Sequence, residues 1–379
     1  MYSRLIKPNP NKSFFLFGPR GTGKTTWVKN NYPQAIYLDL LDSHLFTSLL
    51  TDPSRLITHI PPHHQKYVVI DEIQRVPELL NQVHKLIEEQ NLKFILTGSN
   101  ARKLRAQGVN LLAGRAYTYY LHPLTAIELG KNFDLTQALK FGLMPSISQE
   151  TNPQKYLASY IQTYLEQEIY QEGFTRNLSA FARFLETASF SQGSTLSISN
   201  VARDANVERK TVENYFTILE DLLIAYKLPT FHKRAKRRLV TSPKFYFFDT
   251  GVYRSIRPTG PLDSSQEISG VALETLFFQN LLAINQALEL DYDLYYYRTA
   301  TGVEVDFIAY GKKRIFAFEI KHSDRFNPNM LKGLKHFQAD YPMVKLYLIY
   351  QGQKTLYRDG ITILPATKAL MELDKILEN

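Results

Sequence analysis

The stretch SFFLFGPRGTGKTT (residues 13–26) decides the fold of the first part of the chain. The run SFFLF (13–17) has the length and composition of a buried strand, and a glycine-rich segment follows it directly. Residues 18–25 fit the pattern G-x-x-x-x-G-K-[ST], in which main-chain N–H groups surround phosphate groups at the start of a helix. The stretch therefore predicts a strand, a phosphate-binding loop and a helix, in that order.

Each residue type in this loop has a physical role. The glycines let N–H groups turn inward, the Lys24 ammonium can reach the β- and γ-phosphates, and the Thr25 hydroxyl can bind Mg²⁺. The sequence thus predicts a nucleotide site that uses Mg²⁺. Its predicted binding residues in the loop are Gly18, Pro19, Arg20, Gly21, Thr22, Gly23, Lys24, Thr25 and Thr26.

Four further apolar runs follow the loop, at AIYLDL (35–40), YVVIDEI (67–73), KFILTGS (93–99) and YTYYL (117–121). Short runs of this kind, separated by helix-length segments, favour a parallel α/β sheet. Asp71 and Glu72 end one run, so we predict that Asp71 holds Mg²⁺ and that Glu72 orients the attacking water. Ser99 or Asn100, at the end of the next run, could sense the γ-phosphate.

On these motifs, residues 1–121 resemble AAA-type P-loop ATPases. The segments DEIQRVPELL (71–80) and LAGRAYTYYLHPLTAIEL (112–129) are similar to a bacterial and archaeal branch of such ATPases, whose C-terminal domain has no settled function. The resemblance implies ATP as the nucleotide, Gly18–Thr25 as Walker A, Asp71-Glu72 as Walker B and Ser99-Asn100 as sensor 1. It also implies a homo-oligomer in which Arg115 or Arg102 acts as an arginine finger; a structural ion pair of Arg115 is an open alternative.

Length and composition bound the class of protein. The 379 residues predict two or three domains, and the absence of cysteine excludes disulfide scaffolds, thiol nucleophiles and cysteine-ligated metals. No uncharged apolar run approaches the length of a membrane span, and the first residues lack the pattern of a secretory signal. We therefore expect a cytoplasmic protein with no membrane segment.

The net charge of +9 indicates an anionic partner, and its distribution indicates two. Residues 1–121 carry a net charge of +7 (15 basic, 8 acidic), and residues 176–260 also carry +7 (14 basic, 7 acidic). The stretch 232–244 alone has six Lys and Arg and no acidic residue, which is typical of a basic β-wing. The first excess surrounds the predicted nucleotide site, and the second predicts DNA.

Residues 199–224 have the proportions of a helix-turn-helix, with a short helix, a turn at Asn206-Val207 and a longer helix from Glu208. Basic residues near the start of the second helix and in the wing suit phosphate contacts. A spacer or a protein-binding winged helix stays open as an alternative. The predicted DNA-binding residues are Arg209, Lys210, Lys236, Arg237 and Arg238.

The last third of the chain contains a second set of candidate residues. Glu274 lies on an amphipathic helix, Asp306 on a strand, and Glu319-x-Lys321 follows a hairpin and precedes another helix. This order resembles the restriction-endonuclease-like, PD-(D/E)XK fold, although Val305 stands where the motif's name has proline. The resemblance implies Glu274, Asp306 and Glu319 as metal ligands and Lys321 as the base for the attacking water. Gln338 is a weaker candidate for a backbone contact.

Changes of pattern divide the chain into an ATPase core (1–121), a helical lid or connector (122–175), a winged-helix domain (176–260) and a nuclease-like domain (261–379). The predicted fold class is α/β: a P-loop parallel-sheet core, a helical lid, a winged helix and a C-terminal α/β restriction-endonuclease-like domain. Asp249, which joins the last two domains, is expected to be a structural cap.

The favoured function is an ATP-hydrolysing ATPase that binds duplex or branched DNA and acts on it with a Mg²⁺-dependent nuclease-like domain. One alternative is a nucleotide-gated regulator that binds DNA or protein and has an inactive nuclease-like domain. A signalling ATPase whose winged helix is only a spacer is the other.

Overall fold

In the computed structural model the chain divides into two compact units. The N-terminal unit comprises Leu5–His122 with Asp221–Leu223, and the C-terminal unit comprises Met1–Arg4, Pro123–Glu220 and Ile224–Asn379. The structure describes residues 2–99, 104, 112, 114–166, 177–233, 237–261 and 263–378. The proposed boundaries near residues 175 and 260 fall inside the C-terminal unit and stay predictions.

The N-terminal unit is built around a five-stranded parallel sheet, which confirms the predicted α/β core. The strands stand in the order β2-β3-β4-β1-β5, and every neighbouring pair is parallel. Their bounds are β1 Ser13–Phe17, β2 Ile36–Asp39, β3 Tyr67–Asp71, β4 Lys93–Gly98 and β5 Ala116–Tyr120. The described helices of this unit are Lys24–Asn31, Ser43–Thr51 and Leu79–Gln90, with 3₁₀ segments at Pro53–His59 and Ile73–Arg75.

Both faces of this sheet are covered, as the continuous apolar runs require. On β1, Phe15 and Phe17 face one core, whereas Phe14 and Leu16 face the other. Because β1, β3 and β4 are parallel, their carboxyl ends meet at one edge of the sheet, which brings the phosphate-binding loop, Asp71 and Ser99 to the same edge.

The C-terminal unit combines helices with a six-stranded sheet and a two-stranded sheet. Its strands are β6 Ala225–Leu228, β7 Lys244–Phe247, β8 Asp293–Arg298, β9 Glu304–Tyr310, β10 Ile315–Lys321, β11 Lys345–Tyr350, β12 Leu356–Arg358 and β13 Ile361–Pro365. Its described helices are Ala126–Leu129, Leu135–Phe141, Pro153–Ser159, Leu178–Ser189, Ile198–Ala205, Arg209–Asp221, Thr250–Ile256, Ser265–Ala287, Lys332–Asp340, Ala366–Met371 and Leu373–Glu378. Shorter 3₁₀ segments lie at Gly130–Asn132, Pro145–Gln149 and Pro328–Leu331, and a π-helix at Tyr160–Glu166.

The six strands stand in the order β12-β13-β11-β10-β9-β8, and β9 and β10 form the expected antiparallel hairpin. The helix Ser265–Ala287 has the length and composition of a membrane span. Its most apolar 18 residues have a mean hydropathy of 1.2, but 67% of these residues are buried inside the structure. Burial of this helix against the unit accounts for its apolar character.

The basic stretch after β6 differs from the expected free wing. Strands β6 and β7 pair antiparallel with each other. The chain between them forms bridges at the edge of the six-stranded sheet, at Thr230 with Tyr296 of β8 and at Leu239 with Thr299, directly after β8. An edge strand with unpaired main-chain groups is a ready partner for a neighbouring extended segment. The local charge pattern predicted the basic stretch. It could not predict the bridges to β8, because β8 lies far along the chain from this stretch.

Candidate functional site

The phosphate-binding loop holds its lysine inward. Gly21 and Gly23 have φ values of +84°, in the left-handed region that favours glycine, and the helix begins at Lys24. The Lys24 ammonium is buried and donates to the carbonyl oxygens of Gly18 and Pro19 at 2.7 and 3.1 Å. The Thr22 hydroxyl donates to the Pro19 carbonyl at 2.8 Å and braces the same turn. Arg20 and Thr26 are exposed on the surface of this segment.

The two residues proposed as Mg²⁺ ligands contact each other. The Thr25 hydroxyl donates to the Asp71 carboxylate at 2.9 Å. The same carboxylate accepts hydrogen bonds from the Tyr37 hydroxyl, on β2, and from the Thr97 hydroxyl, on β4. Three hydroxyl groups thus orient a carboxylate that is almost fully buried. Oxygen donors of this kind fit Mg²⁺.

Glu72 sits in a left-handed conformation, with φ at +59°, directly after β3. Its main-chain N–H lies 3.4 Å from the Thr97 hydroxyl oxygen, and its side chain accepts a hydrogen bond from the Gln74 amide. Burial raises the pKa of the Glu72 carboxyl, while the nearby Lys24 ammonium and the Gln74 hydrogen bond act in the opposite direction. The carboxyl group therefore faces the loop from a partly desolvated position.

Sequence reasoning missed Gln74 and Tyr37. The Gln74 amide also donates to the Ser99 hydroxyl at 3.3 Å, and its own oxygen is buried with no hydrogen-bond partner among the described residues. Gly98 makes room for this side chain, since a Cβ there would lie 2.4 Å from the Gln74 amide oxygen. Burial and then the bond to Asp71 raise the pKa of the Tyr37 hydroxyl, which keeps it a donor.

The remaining nucleotide-site candidates lie apart from these contacts or outside the described residues. Arg115 forms an ion pair with Glu88 on the surface of the same unit, which lowers the pKa of the Glu88 carboxyl. This pair matches the structural alternative for Arg115, and its role as an arginine finger stays a prediction. Asn100 and Arg102 lie outside the described residues.

The helix pair predicted for DNA binding is present as Ile198–Ala205 and Arg209–Asp221. Asn206 ends the first helix with φ at +52°, and the second helix buries Val212 and Phe216. Arg209 and Lys210 are exposed at its start, where Arg209 pairs with Glu213 at 3.0 Å. Exposed pairs of this kind are weak, so Arg209 can exchange its partner for an anion.

Among the described residues of the basic stretch, several cations contact acidic side chains. Lys233 pairs with Asp293 at 3.0 Å, and Arg237 pairs with Asp340 at 2.8 Å. Arg238 is exposed, and Lys236 lies outside the described residues. Lys244 is buried, with only 2% of its side chain exposed.

Lys244 lies among acidic residues from the last third of the chain. We use the term carboxylate cluster for Glu274, Glu304, Asp306 and Glu319. The Lys244 ammonium lies 3.0 Å from a Glu274 oxygen, 2.5 Å from a Glu304 oxygen and 3.2 Å from an Asp306 oxygen. Sequence reasoning had placed Lys244 in the basic wing and had not considered Glu304; nothing in the local pattern connects either to this cluster.

Other donors also contact the carboxylate cluster. The main-chain N–H of Ile320 donates to the second Asp306 oxygen at 2.8 Å, and the Tyr246 hydroxyl donates to Glu274. Arg298 lies 3.1 Å from the second Glu304 oxygen, and Lys321 lies 2.6 Å from a Glu319 oxygen. The second Glu319 oxygen is buried with no hydrogen-bond partner among the described residues.

Burial sets the charge of the carboxylate cluster. It raises the pKa of Glu274 to about 7, against the opposing effect of Lys244, and, together with Asp306, raises the pKa of Glu319 to about 8. Burial opposes the charged form of Lys244, but the surrounding carboxylates raise the pKa of Lys244 well above its ordinary value. The buried carboxyl groups of Glu274 and Glu319 thus lie beside the ammonium groups of Lys244 and Lys321, respectively.

The predicted metal ligands Glu274 and Asp306 thus come together, but they do so around a lysine. Among the residues that the structure describes, no group of three or more His, Asp or Glu side chains is arranged to hold a metal ion. Gln338 is half-buried on the helix Lys332–Asp340, beside Gly360. The proposed assignment of Glu274, Asp306 and Glu319 as metal ligands does not fit this geometry.

Comparison with known protein families agrees with the predicted fold of the N-terminal unit. Residues 10–130 match the family model described as an AAA domain, while residues 132–263 and 269–369 match two models described as domains of unknown function, DUF8612 and DUF4143. Residues 10–130 are therefore similar to AAA-type P-loop domains, of the kind found in ATPases, as the sequence predicts. The restriction-endonuclease-like resemblance of the last third is not confirmed.

Similar chains come from two bacteria. An uncharacterised protein of Mycobacterium tuberculosis is 26% identical over 372 residues, which cover 94% of this chain and 80% of the relative. An uncharacterised protein of Haemophilus influenzae is 25% identical over 342 residues, which cover 85% of this chain and 82% of the relative.

Two solved structures show more distant similarity. The ORC1 protein of Aeropyrum pernix in complex with DNA is 14% identical, with 66% of this chain and 86% of that chain covered and a TM-score of 0.29. Protein VC1899 from Vibrio cholerae is 14% identical, with 91% of this chain and 97% of that chain covered and a TM-score of 0.25.

Proposed function

We propose that this protein is an ATP-hydrolysing switch that binds DNA, and that its C-terminal unit holds DNA without cutting it. The observation that carries the ATPase part is the 2.9 Å contact between the Thr25 hydroxyl and the Asp71 carboxylate, directly beside the phosphate-binding loop. A hydroxyl and a carboxylate in this arrangement are the oxygen ligands that Mg²⁺ takes together with phosphate groups.

Each residue of the site has a role in this proposal. The loop N–H groups and Lys24 bind the phosphates, and Lys24 exchanges its bonds to the Gly18 and Pro19 carbonyls for bonds to phosphate oxygens. Thr25 and Asp71 would hold Mg²⁺, which neutralises phosphate charge when it is bound. Glu72 orients the attacking water, and its burial near the loop supports that role.

Steady-state ATP turnover and nucleotide binding test the ATPase. We expect Lys24→Ala to lose both, because the loop then lacks its cation for the phosphates. Glu72→Gln should still bind ATP but turn it over at least about 100-fold more slowly, since only the step that needs the attacking water is affected. Lys85→Ala, on the exposed face of the helix Leu79–Gln90, is the matched control. Unchanged turnover in Lys24→Ala contradicts the assignment.

The DNA part of the proposal rests on the helix pair and on charge. Arg209 and Lys210 are exposed at the start of the helix Arg209–Asp221, and residues 176–260 carry a net charge of +7. Cations placed in this way neutralise phosphates and release counterions, so binding weakens as salt rises. The match of this region to a domain of unknown function leaves the protein-binding alternative as an outcome of the experiment.

Fluorescence anisotropy with duplex, single-stranded and branched DNA, at several salt concentrations, tests this part. Replacement of Arg209 and Lys210 by alanine should weaken binding and reduce the salt slope by about 2, or about 1 for each phosphate contact removed. Lys335→Ala, which removes an exposed lysine paired with Asp359, should leave both unchanged. Absence of binding to all three DNA forms at low salt would favour a protein partner.

A further inference from the structure

The position of Lys244 is fixed by main-chain pairing on both sides. Lys244 is the first residue of β7 and pairs with Leu228 of β6, while on the other side it forms a bridge with Thr195. The next residue, Phe245, exchanges main-chain hydrogen bonds with Gly193 and Ser194 at 2.8 and 3.1 Å. The ammonium is therefore delivered to the carboxylate cluster by paired strands, not by a loose surface side chain.

A lysine at this depth is stable only with compensating negative charge. The Lys244 ammonium has three carboxylate partners within 3.2 Å, and its nitrogen also lies 5.6 Å from the centre of the Tyr296 ring. An ammonium group has three N–H donors, so the three carboxylate oxygens match its full donor capacity.

The same oxygens would have to bind a metal ion if this were a nuclease centre. Mg²⁺ requires several oxygen ligands at short distance in near-octahedral geometry. Here Lys244 contacts Glu274, Glu304 and Asp306, and the second oxygens of Glu304 and Asp306 contact Arg298 and the Ile320 N–H. Lys244 and Tyr246 both donate to the same Glu274 oxygen. The other Glu274 oxygen and the Glu319 oxygen that has no hydrogen-bond partner among the described residues do not make up such a set.

We propose that the Lys244 ammonium is a built-in cation that takes the place of a divalent metal at the carboxylate cluster. The C-terminal unit then keeps its fold without a metal ion and has no metal-dependent nuclease activity. This inference concerns a different site from the proposed ATPase and stands or falls independently of ATP turnover.

Binding of Mn²⁺ alone, followed by electron paramagnetic resonance, tests the metal part without any change at Lys244. The full-length Asp71→Asn variant removes the proposed metal ligand of the N-terminal unit, so bound Mn²⁺ would report on the carboxylate cluster. We expect no stoichiometric Mn²⁺ in this variant. One bound Mn²⁺ for each chain that disappears on adding Asp306→Asn, but persists on adding Asp293→Asn at an exposed ion pair, overturns the proposal.

Thermal unfolding in the presence of EDTA tests the structural part. Lys244→Ala leaves buried carboxylates without their cation and should lower the unfolding temperature by roughly 10 °C, while Lys335→Ala should change it little. Adding Glu274→Gln to Lys244→Ala should restore part of the loss, because one uncompensated negative charge is removed. An unfolding temperature of Lys244→Ala equal to that of the unmodified chain contradicts the built-in cation.

If Lys244→Ala yields no folded protein, the double variant with Glu274→Gln provides the second measurement. Recovery of folded protein in the double variant supports charge compensation. Cleavage of DNA by the unmodified chain with Mg²⁺ or Mn²⁺, lost in Asp306→Asn, would overturn the inference whatever the stability data show.

Discussion

Gln74 links Glu72 to Ser99 at the end of the central strands, and this contact makes a prediction about catalysis. Its amide donates to both side chains, so it restricts where the Glu72 carboxyl group points. Gln74→Leu keeps a similar volume and removes the donor. We expect kcat for ATP to fall about 10- to 150-fold, since a hydrogen bond to a charged group contributes about 1.5–3 kcal/mol, with little change in KM.

Comparison of the changes in kcat and KM distinguishes loss of Glu72 positioning from general damage to the ATP site. Gln90→Leu, at the exposed end of the helix Leu79–Gln90, should change neither value. A rise in KM equal to the fall in kcat would mean that Gln74 supports nucleotide binding and not Glu72.

The buried carboxyl group of Asp249 leads to a prediction about how the free energy of unfolding depends on pH. Its carboxylate is fully buried and accepts hydrogen bonds from the main-chain N–H groups of Leu143, Gly251 and Val252 at 2.8, 2.9 and 3.1 Å. Asp249 thus caps the helix Thr250–Ile256, which confirms its expected structural role. Burial raises the pKa of Asp249 from 3.8 to about 6, although the three N–H groups act in the opposite direction.

Because the folded-state pKa of Asp249 is raised, the folded chain binds this proton more tightly than the unfolded chain does. The stabilisation is fully present below about pH 4 and is lost as pH rises through about 6, a change of about 3 kcal/mol for a shift of this size. Asp249→Asn cannot titrate, and its amide nitrogen cannot accept from Leu143, so it is destabilising at every pH.

Urea unfolding of both proteins between pH 4 and 7 measures the difference. The free-energy cost of Asp249→Asn should shrink by up to about 3 kcal/mol as the pH rises. A cost that is constant over this range would mean that Asp249 stays ionised in the folded chain.

The sequence predicted Thr25, Asp71 and Glu72 because each belongs to a short motif whose spacing is set by one strand or one loop. Tyr37 and Gln74 could not be found in this way. Tyr37 reaches Asp71 only because β2 lies beside β3, and Gln74 fits only because Gly98 has no side chain. Lys244 was misassigned for the same reason, since its three carboxylate partners come from a distant helix and strand.

At the scale of elements, two helices of the C-terminal unit meet at glycines. A Cβ at Gly251 would lie 2.0 Å from the Phe141 carbonyl oxygen, at the end of the helix Leu135–Phe141. The close approach lets Asp249 reach the N–H of Leu143. Gly251→Ala should therefore lower the free energy of unfolding by about 1–3 kcal/mol, because the helices must separate.

Gly260→Ala is the matched control for this prediction. Among the described residues, a Cβ at Gly260 would have only the Asp263 carboxylate within 4 Å, at 3.8 Å, which is an ordinary van der Waals distance. Urea unfolding of the two variants compares them directly. Equal stability of both would show that the helix contact tolerates a methyl group and that Asp249 does not depend on it.

The sequence predicted where strands and helices lie better than it predicted which of them pair with each other. The five strands of the N-terminal unit lie within one or two residues of the apolar runs, since a parallel sheet covered on both faces requires continuous apolar strands. The basic stretch between β6 and β7 was predicted as a wing because its charge is a local property. Its pairing with β8 is a long-range property that no local pattern records.

At the scale of the whole molecule, the two positively charged segments become two proposed anion sites with different anions. In residues 1–121, Lys24 faces the phosphate-binding loop, which suits a triphosphate. In residues 176–260, Arg209 and Lys210 are exposed, whereas Lys244 neutralises the chain's own carboxylates. The same excess of charge would therefore have two roles in that segment, the proposed binding of an external anion and compensation of the chain's own carboxylates.

If the chain is a switch, ATP and DNA must affect each other's binding, and this makes the last prediction. A non-hydrolysable ATP analogue with Mg²⁺ should change the Kd for duplex DNA by about 5- to 150-fold. Thermodynamic linkage then requires that saturating DNA change the Kd of the analogue by the same factor, in the same direction. Fluorescence titrations in both orders measure the two factors independently.

Lys24→Ala should abolish the effect of the analogue on DNA while leaving DNA binding without nucleotide intact, because Lys24 lies in the proposed ATP site and not in the proposed DNA-binding helix pair. Replacement of Arg209 and Lys210 should weaken DNA binding but leave the Kd of the analogue in the absence of DNA unchanged. If the DNA affinity of the unmodified chain does not change when the analogue binds, nucleotide binding and DNA binding are not coupled. The helix pair would then serve as an independent tether or spacer, and the nucleotide cycle would act on another partner.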